Sequence, residues 1–147
     1  MNALQQFKRQ SLWIMLSMAA VLVVGCADMK MGGGGKVTLS GSEEVPAVTT
    51  SASGSGTITI NADKTVSGSV TTTGIAAVAA HIHEAPAGKN GPVIVPLAKS
   101  ADGNTWSVAA GARLTDAQYD SYKAGNLYVN VHSAAHKGGE LRGQLKP

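Results

Sequence analysis

All four histidines of this chain fall in two short segments, Ala80-His81-Ile82-His83 and Asn130-Val131-His132-Ser133-Ala134-Ala135-His136. Along an extended chain, residues two apart point to the same side. His81 and His83 are therefore expected to project together, with Ala80 and Ile82 facing the opposite way into a core. The second segment divides in the same manner. Leu127, Val129 and Val131 form an apolar face, and Tyr128, Asn130 and His132 form the other. If the two segments are neighbouring strands, three imidazoles converge, which is how a sheet builds a three-histidine metal site. Imidazole suits zinc, copper, nickel and iron, with affinity rising towards Cu(II). Copper is thus the expected ion and zinc the second choice. His136, in a glycine-containing loop, is a candidate fourth ligand. Glu84 and Glu140 are candidate carboxylate ligands or partners that orient an imidazole. An isolated His-x-His pair arises easily by chance. The weight lies in every histidine of the chain occupying one of two non-core strand contexts.

Other chemistries lack their parts. There is no Gly-x-Ser-x-Gly elbow for a nucleophilic serine. Gly32 to Gly35 precede Lys36, but no strand leads into them and the phosphate-loop spacing is missing. Glu43 and Glu44 are adjacent, so on a strand they would face opposite ways rather than act as an acid/base pair. Met29 and Met31 are soft donors that could meet Cu(I), but they sit in a glycine-rich stretch and read better as linker residues. A binding module is therefore favoured over an enzyme.

The start of the chain sets the compartment. Lys8 and Arg9 precede an apolar run from Ser11 to Val24, about fourteen residues, the length of a signal h-region and short for a bilayer span. Val23-Val24-Gly25-Cys26 follows, and small residues before a cysteine resemble the lipobox of bacterial lipoproteins. The expectation is a signal peptide over 1–25, a diacylglycerol group on the Cys26 thiol, and a tether over 26–36 that ends in four glycines. Acyl chains, at about 0.8 kcal/mol per buried CH₂, hold a protein at a membrane without a spanning helix. Cys26 is the single cysteine, so no disulfide within the chain is possible. Ala27, rather than an acidic residue, points towards the outer membrane, facing periplasm or exterior. Without Lys8 and Arg9, ten basic residues remain against 9 acidic ones, all of which follow Cys26. The mature chain is close to neutral, which removes the case for nucleic acid or an anionic surface as partner.

About 110 residues remain, enough for one domain with one core. From Val37 the pattern alternates with period two. Thr57 to Ile60 and Thr65 to Thr72 read as a hairpin about Asn61-Ala62-Asp63-Lys64. Val78 to His83, Val93 to Leu97, Thr105 to Ala109, Leu127 to His132 and Leu141 to Leu145 are further strands. Turn residues separate them at short intervals. Seven or eight short strands predict an all-β, antiparallel Greek-key sandwich or barrel. One helix interrupts them. Thr115-Asp116-Ala117-Gln118 fits a capping box, Leu114 and Tyr119 a hydrophobic staple, and Gly125 a C′ residue, so the helix is expected over 116–124.

The same segments carry a family resemblance. Leu39-Ser40-Gly41-Ser42-Glu43-Glu44-Val45-Pro46, Ala80 to His83, Gly91-Pro92-Val93-Ile94-Val95-Pro96-Leu97, Gly125 to His132 and Gly138 to Leu145 resemble, in order, the blocks of a chordin-type (CHRD) domain. The resemblance spans about 37–146, with one departure, Glu84-Ala85-Pro86, where a glycine is usual soon after the histidine pair. It implies a module of exported proteins with recurring histidines at His81, His83 and His132, and it implies no activity. A more distant similarity is to copper–zinc superoxide dismutases, which use a His-x-His strand and a later histidine for copper and place an arginine nearby, as Arg142 could. The disulfide and the His/Asp-rich zinc loop of those enzymes are missing here. The expectation is an envelope lipoprotein whose domain, 37–147, binds copper for storage, buffering or transfer, handing it to another envelope protein. The alternative is a metal-free module for binding protein or polysaccharide. A copper-only dismutase is third.

Overall fold

The computed structural model describes residues 34–147; the expected signal peptide, Cys26 and most of the tether lie outside the described residues. Eight strands follow in order: β1 (Gly35–Leu39), β2 (Ser53–Ile60), β3 (Val66–Thr73), β4 (Ala77–Glu84), β5 (Val93–Lys99), β6 (Thr105–Val108), β7 (Leu127–Ser133) and β8 (Leu141–Leu145). The helix α1 (Asp116–Lys123) sits between β6 and β7. All pairings are antiparallel, in the spatial order β1-β2-β3-β6-β5-β4-β7-β8. The chain thus leaves β3 and skips two strands to reach β4, and it leaves β6 and skips two more to reach β7. These two crossovers are the Greek-key element of the expected fold.

The sheet curls until its ends meet. Ser40 and Arg142 exchange backbone hydrogen bonds of 3.0 and 3.1 Å, bridging the β1 end to β8. Gly143 permits the approach, because a Cβ there would lie 2.3 Å from the Thr38 carbonyl oxygen. The result is an eight-stranded barrel, nearly closed. A groove of about 350 Å³ remains along the seam, lined by Lys36, Val37, Thr38, Gln144 and Lys146 among others, and it includes none of the histidines.

The core is aliphatic, as the scarcity of aromatics requires. Ile58, Val70, Ile82, Leu127, Val129, Val131 and Leu141 are all within 2 % of complete burial. Full burial of each such side chain stabilises by about 1.5–3 kcal/mol. The helix keeps its expected start. The Thr115 hydroxyl accepts from Gln118 N at 3.2 Å while Gln118 Oε1 accepts from Thr115 N at 2.9 Å. Its last turn ends at Lys123, with Ala124 as cap and Gly125 at φ 76°, the left-handed conformation that glycine adopts without cost. No helix among the described residues is long and apolar enough to cross a membrane.

Candidate metal centre

β4 and β7 are direct neighbours. Their register pairs His81 with Asn130, His83 with Tyr128 and Ala79 with His132. His132 is therefore one step diagonal from His81 on the barrel's outer face. Two bulges bracket the histidines: Val78 is an extra residue on β4 between Ala77 and Ala79, and Ile94 is an extra residue on β5 opposite Ile82 and His83. Bulges increase local twist and re-aim side chains. The three ring centroids lie 5.0 to 5.9 Å apart. One donor nitrogen from each of His81, His83 and His132 falls within 4.8 Å of the other two. Strand parity and adjacency alone bring these three together.

Hydrogen bonds fix which nitrogen of each ring is free. His83 Nδ1 lies 2.9 Å from the Gly91 carbonyl oxygen, and His132 Nδ1 lies 3.0 Å from the Lys137 carbonyl oxygen. A carbonyl only accepts, so both Nδ1 atoms carry the proton and both Nε2 atoms present a bare lone pair. His83 Nε2 is buried with no partner. An unsatisfied buried acceptor costs about 1–3 kcal/mol. His132 Nε2 faces His81 Nδ1 at 3.2 Å. Two nitrogens bound tetrahedrally to one ion, at about 2.0–2.1 Å each, stand about 3.3 Å apart, so this pair already has the spacing of two ligands. In that pair His81 Nδ1 carries the proton and donates it to His132 Nε2, so an ion taking both nitrogens would need that proton displaced.

The electrostatics favour the neutral form of His81 and His83. Burial lowers the pKa of His81 below its ordinary value, and the neighbouring His132 and His83 lower it further. Burial also lowers that of His83, with His132 and Arg142 adding to the effect and the bond to Gly91 opposing it. Neutral imidazole is the metal-binding form.

The remaining predicted site residues are placed elsewhere. His136 occupies the turn after β7, where its backbone N–H donates to Ser133 Oγ at 3.1 Å, and it is not one of the three rings that gather. Glu84 accepts from Ser121 Oγ of α1 at 2.5 Å. Glu140 accepts from Thr50 Oγ1 at 2.8 Å and from Ser133 Oγ at 2.5 Å. Neither carboxylate touches an imidazole. Arg142 is 1 % exposed, and its guanidinium lies 3.5 Å above the Tyr128 ring. Tyr128 in turn stacks on His83 at 5.0 Å. Tyr128 and Asn130 are as buried as the core, though they point outwards. The segments 41–48 and 85–92 form a second layer over them. Asn130 Nδ2 donates to both Glu44 oxygens at 2.9 and 3.1 Å, and Asn90 Nδ2 donates to the Val45 carbonyl at 2.7 Å.

An eight-stranded antiparallel barrel with a three-histidine cluster beside an outer layer of loops defines the class of this domain. The family model for the CHRD domain matches residues 36–145, and the chain belongs to that family. Neither a curated protein nor a solved structure matches it.

Proposed function

We propose that this chain is a CHRD lipoprotein of the cell envelope that holds a transition metal, copper before zinc, through His81, His83 and His132. The buried, partnerless Nε2 of His83, aimed at two further imidazoles, carries this reading. Three neutral nitrogen donors and no thiolate favour Cu(II) among the divalent ions. Three protein ligands leave a coordination position open, as exchange of the ion with a partner requires. With Cys26 acylated, the domain would start within about ten residues of its anchor and deliver or store copper at the membrane surface. Titration of Cu(II) and Zn(II) into the purified chain at neutral pH tests the proposal. One saturable ion per chain, lost in the His81→Ala/His83→Ala variant, is the expected result. Absence of saturable binding, or binding that the double substitution leaves intact, refutes it and leaves the metal-free interaction module.

A further inference from the structure

Arg142 is a fully buried cation with no carboxylate within 4 Å among the described residues. Such a charge is costly unless its N–H groups are used, and here they are used on one loop. Its two terminal nitrogens donate to Asn90 Oδ1 at 3.3 Å, to the Pro86 carbonyl at 3.2 Å and to Gln144 Oε1 at 3.4 Å. Gln144 extends the grip, donating to the Ala85 carbonyl at 2.9 Å. The guanidinium also covers Tyr128, whose Oη accepts from Gly91 N at 3.1 Å. The Gly91 carbonyl then receives the His83 Nδ1 proton. Residue 91 has to be glycine, because a Cβ would lie 1.9 Å from the Glu84 carbonyl oxygen.

We infer that Arg142 and Tyr128 are positioning residues for the metal centre: they hold the 85–91 turn so that the Gly91 carbonyl locks His83 in its Nδ1–H form with Nε2 facing the ion. Either tautomer of a free imidazole can exist in water, and only one of them offers Nε2. The carbonyl that selects it sits on an exposed turn, and the arginine fork anchors that turn to β8. Arg142 thus acts through the loop and not by attracting a ligand itself, since both its terminal nitrogens donate to protein acceptors and its side chain is shut from solvent. The inference rests on the proposed metal site for its purpose, but the tautomer can be read without metal.

Tyr128→Phe keeps the ring that packs on His83 and Arg142 and removes only the acceptor for Gly91 N. Asn90→Ala, at an exposed position, removes one anchor of the turn. Long-range ¹H–¹⁵N spectra of the metal-free chain report the His83 tautomer directly. Wild type should show a single Nδ1–H form, and both variants a mixture, with the larger change in Tyr128→Phe. Cu(II) affinity should fall about 10- to 100-fold in step, as for other groups that orient a ligand. A His83 that stays fully Nδ1–H in both folded variants overturns the inference. If wild type binds no metal yet the tautomer shifts as stated, the positioning role stands and the metal reading falls.

Discussion

The barrel's outer surface has two halves built on the same strand alternation and put to different use. On β2 and β3 the outward side chains are Ser53, Ser55, Thr57, Thr59, Ser67, Ser69, Thr71 and Thr73, and none of them is buried. Short hydroxyls at those positions favour the strand and need no partner beyond water. On β4, β7 and β8 the outward positions are His81, His83, Tyr128, Asn130, His132 and Arg142, and His83, Tyr128, Asn130 and Arg142 are buried. Each of these larger groups has a specific acceptor or donor, supplied by the second layer of loops, apart from His83 Nε2 and Asn130 Oδ1. The difference is one of dielectric. The exposed half is wet and chemically silent, whereas covering the other half lowers imidazole basicity and makes unfilled lone pairs matter.

The sharpest way to test that contrast is to truncate one outward residue in each half. Arg142→Ala removes a buried side chain and strands Asn90 Oδ1, the Pro86 carbonyl and Gln144 Oε1, for a loss of about 3–5 kcal/mol by denaturant unfolding. Thr71→Ala, at an exposed site, should stay within about 0.5 kcal/mol of wild type. Equal costs at the two positions would show that the covering loops contribute little.

The second effect is linked to the ion. Free Cu(II) at 100 times its Kd should add about 2.7 kcal/mol to the stability of wild type, read as a rise in melting temperature of several degrees. His83→Ala should abolish the rise, while Ser69→Ala on the silent half should keep it. A rise retained in His83→Ala would place the ion elsewhere.

Much of this was legible in the sequence, for physical reasons. Period-two alternation gave seven of the eight strands, β1 not among them, and Thr115 with Gln118 gave the helix start. Parity put His81, His83 and His132 on one side of their strands, and adjacency of β4 and β7 did the rest. The second layer was not legible. Alternation distinguishes inward from outward but does not tell an outward residue under water from one under a loop, so nothing marked Tyr128, Asn130 and Arg142 as buried. Glu44 was hidden by the same logic, since its place opposite Asn130 depends on the turn after β1 crossing the seam and β8 to reach β7. A signal was nevertheless present: Tyr128-x-Asn130-x-His132 puts a large hydrogen-bonding group at each outward position, where β2 and β3 have serine and threonine. The two bulges at Val78 and Ile94 had no such mark.

Acid should separate the halves next. His81 and His83 have folded-state pKa values below the unfolded value, about 6.5. The unfolded chain therefore binds more protons, and stability is full above about pH 6.5 and declines as pH falls through and below it. Denaturant midpoints of the metal-free chain at pH 7.5 and 5.5 should show that decline. It should be smaller in His81→Ala/His83→Ala and unchanged in Thr71→Ala. Metal binding should weaken over the same range, because protons compete for the same lone pairs.

The smallest expected effect concerns Glu44, which belongs to the covering layer. Burial raises its pKa above the ordinary carboxylate value, against the lowering influence of Asn130 and Arg142. A raised folded-state value means a stabilising contribution that is complete below about pH 4.5 and disappears as pH rises through the folded-state value. The site thus favours the neutral carboxyl over the carboxylate. Asn130 Oδ1, meanwhile, is buried with no donor, while Asn130 Nδ2 already serves both Glu44 oxygens. Glu44→Gln removes the charge and brings an N–H into a pocket that lacks one, so it should stabilise the chain at pH 7 by up to about 1 kcal/mol. It should also flatten the pH dependence between about 4.5 and 7. If Glu44→Gln instead destabilises at pH 7, the attraction of Arg142 outweighs burial at this position, and the covered half is held by its charges and not in spite of them.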